Sequence, residues 1–297
     1  MASNRFRRGY VPIFLSYYKP HLKLFILDMA CALGIALVDL AFPAVSREAL
    51  NTLLPQSMFT AFFTVMAVLL GAYVLRAAMQ FIVAYWGHMM GVRIEADIRR
   101  DLFGHMQDLS FSFYDKNRTG QLMSRATSDL FEITELAHHG PEDLFISAVT
   151  LVGAFCLMVR IQWKLALIVF AVVPIFIVFT IVQRRRMMKA SVEVKQTMAG
   201  INGQLESSIS GMRTAKAFAS EDQEDEKFRA SNEQFKGAKR GYYQAMGIYH
   251  AGLEFALPAM NVLTVAAGGF FIMKGEMNFV DLVTFTLYIS TFLTPVR

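Results

Sequence analysis

The stretch LALIVFAVVPIFIVFTIVQ, residues 165–183, has no charged side chain in 19 positions and runs directly into Arg184, Arg185 and Arg186. A helix needs about 20 apolar residues to cross the ~30 Å hydrocarbon core of a bilayer. Lysine and arginine are enriched in the loops that stay on the cytoplasmic side. This stretch therefore predicts a membrane-spanning helix whose C-terminal end faces the cytoplasm.

The whole chain has the composition of a membrane protein. Of its 297 residues, 55% are hydrophobic and 18% are charged, and its mean hydropathy is +0.39. These values are too apolar for a soluble domain of this length. The sequence predicts an all-α fold of six long transmembrane helices, with the other five candidate spans at residues 24–46, 53–75, 144–159, 241–273 and 282–296.

The positive charges are distributed unevenly along the chain. Segments 1–23, 88–143 and 183–240 hold 5, 6 and 12 of the 29 lysine and arginine residues. By the positive-inside rule these three segments, including the N-terminus, are predicted to be cytoplasmic. The asymmetry also explains the net charge of +5, so we predict no nucleic-acid partner. Within residues 1–23, the aromatic stretch Tyr10–Tyr18 predicts an amphipathic elbow helix at the membrane interface.

Two pairs of predicted helices are much longer than a membrane crossing. No proline interrupts residues 58–107, and fifty helical residues would be ~75 Å long, about 40 Å more than a bilayer requires. The next helix is predicted over about residues 121–159, and a second pair over about 164–210 and 222–273. The loops on the other side are short. The chain is therefore predicted to build two helical hairpins whose tips stand well inside the cytoplasm.

Both tips have a distinctive sequence. The first tip, around residues 108–120, leads into FYDKNRTGQLMSRATSD at residues 113–129, and the second tip, residues 211–228, reads GMRTAKAFASEDQEDEKF. Two further motifs are WKLAL at 163–167 with Pro174, and GEM at 275–277 followed by Tyr288 and Pro295. These four motifs, in this order and spacing, resemble those of ATP-binding-cassette (ABC) exporters.

The resemblance implies a fold and a mechanism. In that family each tip is a short coupling helix seated in a nucleotide-binding domain, and the six-helix domain, residues 24–297 here, works as a domain-swapped homodimer or heterodimer in the plasma membrane (the inner membrane of a bacterium). ATP binding and hydrolysis, with Mg²⁺, then drive alternating access for a hydrophobic or amphipathic compound such as a drug, lipid or peptide. The residues expected to couple the two domains are Phe113, Tyr114, Asp115, Gly120, Arg125, Phe218, Glu221 and Glu224.

The types of these residues agree with such a role. Phe113 and Tyr114 are apolar anchors of the kind found in interface cores. Asp115 is expected at the N-terminal end of a helix, and Gly120 is expected to let the chain turn into the next helix. Arg125 lies one helical turn before Asp129 and can pair with it or simply be solvated.

The catalytic part of such a transporter is absent from this sequence. The phosphate-loop pattern G-x-x-x-x-G-K-[ST] does not occur, so we expect no catalytic residue, cofactor or metal site on this chain. The nucleotide-binding domain is expected either to follow residue 297 in a longer protein or to be a separate chain. A complete transporter would be an ATP-hydrolysing translocase. The alternatives are an ion- or proton-coupled carrier, which usually has internal repeats and broken helices, and a non-transporting scaffold, which would not need two tips.

Ionisable residues inside the predicted spans are candidates for the substrate cavity. They are Asp28 and Asp39 in the first span, Arg76 in the second and Glu254 in the fifth. Counting from the outer loop, Asp28 and Arg76 lie at similar depth. We predict that they either form a structural ion pair or contact substrate, and that Glu254 lines the cavity.

Overall fold

The computed structural model describes residues 9–293, and within this range the chain consists of helices joined by short turns, with no strand. The predicted all-α fold is confirmed. Residues 1–8 of the predicted cytoplasmic N-terminus and Pro295 of the sixth predicted span lie outside the described range. The chain divides into two compact units: the first contains the residues up to Gln162 together with the segment from Gly275, and the second contains Trp163–Lys274.

The first unit contains most of the helices. Two π-helical turns, Ala49–Leu53 and Val83–Gly87, continue the long helices without a break, so that Phe59–Gln107 is one helical segment of 49 residues, ~74 Å long. Its α-helices are α1 Tyr10–Ser16, α2 Leu22–Glu48, α3 Phe59–Ile82, α4 His88–Gln107, α5 Phe111–Lys116, α6 Thr119–Ser124, the first part of α7 Leu130–Ser210, and α10 Phe279–Leu293.

The second unit is a single long hairpin. It comprises the part of α7 after Gln162, the short helix α8 Met212–Ala217, and α9 Glu221–Met273. At Gln162 the backbone has φ −153° and ψ 99°, which is not helical and divides α7 into two segments. The 92-residue stretch Thr119–Ser210 is therefore long enough for two membrane crossings.

Membrane-spanning capacity is concentrated in the helices that the sequence predicted. By length and composition, four helical stretches of the described chain can cross a bilayer, and a shorter apolar helix occupies Phe279–Phe292. The four stretches are Tyr10–Leu53, Phe59–Gln107, Thr119–Ser210 and Glu221–Met273. With two crossings in Thr119–Ser210, the four stretches give five crossings, and the shorter helix Phe279–Phe292 brings the number to the six that the sequence predicted.

The N-terminal aromatic segment is anchored on α4 and α7 within the first unit. The Tyr18 ring is buried with Met90, Ile94 and Ala137, and its hydroxyl donates a 2.5 Å hydrogen bond to the carbonyl of Ala137. His21 Nε2 lies 3.0 Å from a carboxylate oxygen of Asp97. The segment therefore has a buried inner face, whereas the outer residues of α1 are exposed.

The helices α2 and α10 of the first unit pack closely. The Tyr288 hydroxyl donates to the carbonyl of Leu40 at 3.1 Å, and Arg47 Nε donates to Asp281 Oδ1 at 2.5 Å. A Cβ atom on Gly153 would lie 2.5 Å from a terminal methyl group of Leu40, so any larger residue there would require the Leu40 side chain to move.

A regular buried stripe runs along α9 of the second unit. Ala256, Met260 and Thr264 are buried at four-residue spacing, which places them on one face of the helix. On the same side, Gly252 faces the ring of Phe179, and a Cβ atom at Gly252 would lie 2.1 Å from that ring. The absence of a side chain there sets how closely the two arms approach.

Candidate functional site

The first tip is a short helix tied to the end of α4. Ser110 and Asn117, on either side of α5, have extended backbones, and the Asn117 side-chain amide donates to the carbonyl of Phe113 at 2.8 Å. The Tyr114 hydroxyl donates to the carbonyl of Met106 in α4. These bonds give the tip a defined conformation although it lies far from the core of the unit.

The most exposed apolar side chain of the first tip is Phe111, which the sequence analysis missed. Phe111 is 91% exposed and Tyr114 is 41% exposed, and the two lie three residues apart on one face of α5. The predicted anchor Phe113 is instead half-buried, with its ring edge-on to Tyr114 at 5.5 Å. The available signal was Ser110, because serine is favoured at the position directly before a helix and Phe111 follows it.

Two predicted roles at the first tip are wrong. The helix begins at Phe111, so Asp115 is its penultimate residue and does not lie at the N-terminal end. Gly120 is the second residue of α6 and does not make the turn, which is formed by the extended residues Asn117 and Arg118. Asp115 was misplaced because α5 starts at Phe111, and Gly120 because α6 already starts at Thr119.

Arg125 lies in the π-helical turn Arg125–Asp129 that joins α6 to α7. Arg125 and Asp129 are both exposed, and among residues 9–293 no ion pair joins them. Of the two predicted alternatives, an ion pair or two solvated side chains, the structure has the second. Arg99 of α4 instead holds the turn, because its Nε donates to the carbonyl of Ala126 at 3.2 Å.

The second tip exposes one aromatic side chain at the end of α8. Phe218 is 80% exposed, and the next residue, Ala219, has φ +48°, a left-handed conformation that reverses the chain after a helix. The backbone N–H of Ser220 then donates to the carbonyl of Ala215 at 2.9 Å. Phe218 is thus held outward by a closed turn, as the sequence analysis expected of an anchor.

The two predicted acidic residues of the second tip differ in their surroundings. Glu224 accepts hydrogen bonds from Ser208 Oγ at 2.6 Å and from Lys227 Nζ at 2.6 Å, so it joins α9 to the end of α7. The Lys227 bond, with the Ser208 bond next, lowers the pKa of Glu224. Glu221 is exposed at the rim of a groove of about 240 Å³ beside Met212. Glu224 therefore stabilises the tip, and Glu221 remains available to a partner.

The predicted pairing of Arg76 with Asp28 is wrong. Arg76 binds Asp39 through two parallel hydrogen bonds, from Nε at 2.7 Å and from a terminal nitrogen at 2.8 Å. The helical path of α2 runs on to Leu53, which puts Asp28 ~38 Å and Asp39 ~21 Å from the end of the helix. Arg76, 17 residues into α3, lies at ~26 Å and is therefore level with Asp39.

Asp28 belongs to a different polar cluster of the first unit. It is 1% exposed and interacts electrostatically with His88, His139 and Glu142. Glu142 is 7% exposed and was not singled out in the sequence, because it stands just before a predicted span. The rings of His88 and His139 lie 5.3 Å apart, edge to face. Within the described chain, no group of three or more histidine, cysteine, aspartate or glutamate side chains is arranged to hold a metal ion.

Glu254, the third predicted cavity residue, lies in α9 of the second unit and is exposed. The same helix carries Asn261, whose buried side-chain oxygen accepts no hydrogen bond within the described part of the chain. Asn261 is a further candidate that sequence reasoning missed, since an amide inside an apolar run gives little charge signal.

Comparison with known proteins identifies the family to which this chain is similar. A family model described as the ABC transporter transmembrane region matches residues 25–296. An uncharacterized ABC transporter ATP-binding protein of Bacillus subtilis, YwjA, is 38% identical over 284 residues, which are 95% of this chain and 49% of that protein. The ABC-type oligopeptide transporter ABCB9 of Homo sapiens is 25% identical over 92% of this chain and 36% of its own length.

A third relative is the ATP-dependent lipid A-core flippase of Thiobacillus denitrificans, 25% identical over 86% of this chain and 44% of its own length. The chain spans about half or less of the length of these curated relatives. The names of the relatives differ in what is transported, so similarity at this level leaves the substrate open.

Proposed function

We propose, from the premise that the chain belongs to the ABC transporter transmembrane region family, that it forms the substrate pathway of an ATP-driven exporter and acts as one half of a dimer. In this proposal both tips are cytoplasmic and sit in nucleotide-binding domains, which hold ATP and Mg²⁺. ATP binding moves those domains together, and the tips transmit the movement to the spanning helices.

The observation that carries the proposal is the exposure of aromatic side chains at two structured tips. Phe111 and Phe218 are among the most exposed large apolar residues of the described chain, at 91% and 80%. Each of these side chains is held outward by a hydrogen-bonded turn, and buried aromatic anchors dominate the binding energy of interfaces. An aromatic residue at each tip therefore favours seating in a partner domain.

The partner domains are supported by the relatives. The Bacillus subtilis relative is named an ATP-binding protein, and it is about twice as long as this chain. A phosphate-loop domain in the remaining half would supply the ATPase that this sequence lacks. The energy of ATP then reaches this chain only through contacts such as the tips.

The substrate class is proposed to be hydrophobic or amphipathic. The helix α3 exposes a nearly continuous apolar surface, whereas its one charged residue, Arg76, is neutralised by Asp39 in α2. A pathway lined by such helices offers apolar contact and few fixed charges. One relative is named a lipid A-core flippase and another an oligopeptide transporter, and lipids and peptides are both within the proposed substrate class.

The test uses a full-length transporter that contains this chain and nucleotide-binding domains, reconstituted in vesicles. Phe111→Ala and Phe218→Ala should each reduce ATP-driven transport far more than basal ATP hydrolysis. Truncation of a buried aromatic anchor typically costs about 2 kcal/mol or more, roughly thirtyfold in occupancy. Stimulation of the ATPase by substrate should fall with transport, because coupling between two sites is reciprocal.

A matched control is Phe279→Ala, which removes the same kind of exposed side chain from the start of α10, away from either tip. It should leave both transport and substrate stimulation near the wild-type level. If Phe111→Ala and Phe218→Ala retain full transport and full stimulation, the coupling role of the tips is refuted.

A further inference from the structure

A band of positive charge follows the apolar part of both arms of the second unit. The four residues in α7 directly follow the uncharged run 165–183, and the two in α9 precede its apolar part. We call these residues the basic belt: Arg184, Arg185, Arg186, Lys189, Lys239 and Arg240.

The belt is not neutralised by the protein. No aspartate or glutamate occurs in residues 183–192 or 234–253. The four residues in α7 and Arg240 are exposed, and within residues 9–293 no belt residue takes part in an ion pair. Lys239 is half-buried, with its ammonium group 5.4 Å from the ring centre of Tyr243.

Charges closer to the second tip are arranged differently. There, lysine and arginine side chains alternate with acids and form pairs within α9: Lys227 with Glu224 at 2.6 Å, Arg229 with Asp225 at 2.9 Å, and Lys236 with Glu233 at 2.6 Å. The lack of acidic partners is thus a property of the belt and not of the whole hairpin.

The belt occupies ~12 Å of the length of the hairpin, on the tip side of the contact between Phe179 and Gly252. The contact between Phe179 and Gly252 aligns the two arms. At 1.5 Å per residue, Arg184–Arg186 lie ~8–11 Å beyond Phe179, Lys189 ~15 Å, and Lys239 and Arg240 ~18–20 Å beyond Gly252 in the same direction. The belt therefore begins where the uncharged run ends, which is where lipid headgroups would lie, and long basic side chains bend towards that level.

We propose that the basic belt binds the phosphate groups of anionic phospholipids in the cytoplasmic leaflet. Four of the six residues are arginines, whose planar guanidinium groups bind phosphate through two hydrogen bonds. Clusters of four to eight basic residues next to a membrane-spanning helix bind anionic lipids. Each positive charge strengthens this binding about fivefold. The inference uses the cytoplasmic orientation of the proposed function but none of its coupling steps.

Binding is tested on the full-length transporter in neutral detergent, without ATP, by titration with fluorescent phosphatidylglycerol and, separately, with fluorescent phosphatidylcholine. The wild type should prefer phosphatidylglycerol, and the preference should weaken as salt is raised. The triple variant R184Q/R185Q/R186Q should bind phosphatidylglycerol on the order of 100-fold more weakly, from three charges at about fivefold each. The single variant Arg185→Gln, which perturbs folding least, should lose about fivefold.

The matched control, K227Q/R229Q/K236Q, also removes three positive charges, but from ion-paired positions outside the belt. It should bind phosphatidylglycerol like the wild type. Equal weakening in both triple variants would show a response to net charge alone and would overturn the proposal. Displacement of the lipid by an equal concentration of inorganic phosphate would assign the belt to free anions and overturn it as well.

The lipid-binding experiment and the transport experiment on the tip mutants can fail independently of each other. Lipid binding is measured without nucleotide or transport, so failure of the tip mutants to uncouple transport does not alter it. Conversely, loss of the lipid preference leaves the aromatic tips and their test unaffected.

Discussion

Replacement of Arg76 by alanine tests the ion pair that the structure places between α2 and α3. The guanidinium group of Arg76 donates two hydrogen bonds, of 2.7 and 2.8 Å, to the Asp39 carboxylate. Arg76→Ala removes both bonds and leaves a carboxylate in an apolar part of the molecule. The variant should be less stable because the charge that remains has lost its compensation.

The magnitude follows from the burial of the pair. Breaking a buried ion pair costs about 3–5 kcal/mol, and the lower end applies here because the two side chains are 31% and 28% exposed. A loss of about 3 kcal/mol lowers the midpoint of thermal unfolding by about 6 °C in a large domain. Replacing both partners, in D39N/R76Q, removes the two charges together and should restore more than half of the loss.

The assay is thermal unfolding of the purified full-length protein in detergent, followed by intrinsic fluorescence. The comparison variant is D28N/R76Q, which removes the acid that the sequence had paired with Arg76. Since Asp28 belongs to another cluster, the effects of its two changes should add to within about 0.5 kcal/mol. If D28N/R76Q recovers stability and D39N/R76Q does not, the assigned pair is wrong.

Three further outcomes are expected. A single cysteine at Asn117 should react with an impermeant thiol reagent only from the cytoplasmic side, and one at Gly275 only from the other side; labelling of both from one side contradicts the proposed topology. Gly252→Leu should destabilise the protein by about 1–3 kcal/mol, since its Cβ would lie 2.1 Å from the Phe179 ring; an unchanged unfolding midpoint would show that the arms can separate. The lowered pKa of Glu224 means that its contribution to stability is present at neutral pH and is lost as pH falls below its ordinary value of 4.5; Glu224→Gln should flatten this acid dependence, and an unchanged profile would refute it.

Much of the candidate site was readable from local pattern. The two tips were located from the polar sequences that interrupt long apolar helices, and the structure has short helices, α5 and α8, within them. Phe218 was singled out as a coupling residue, and it is exposed in the structure. Phe113 was singled out as an anchor of this tip, whereas Phe111 is the outward side chain of α5. Residues two apart in a helix point about 200° apart around its axis, so the register of the helix decides which of the two a partner meets.

The sequence by itself determined the class of the molecule. Uncharged runs of about 20 residues match the length of a membrane-spanning helix. Inside a bilayer no water can bond to the backbone N–H and C=O groups, and a helix pairs all of them within the segment. Length, spacing and charge then specify the number of spans and the long hairpins, and these properties need no knowledge of which helices touch.

Only the tertiary structure decided the pairings. The depth counted along the sequence paired Arg76 with Asp28, whereas the structure pairs it with Asp39 because the π-helical turn Ala49–Leu53 lengthens the path of α2. Likewise, the placement of Glu224 between two arms follows from the closure of the hairpin around α8. Such contacts join residues that are distant in the chain or lie on opposite arms, and their distances are set by packing and helix register, which no local pattern encodes.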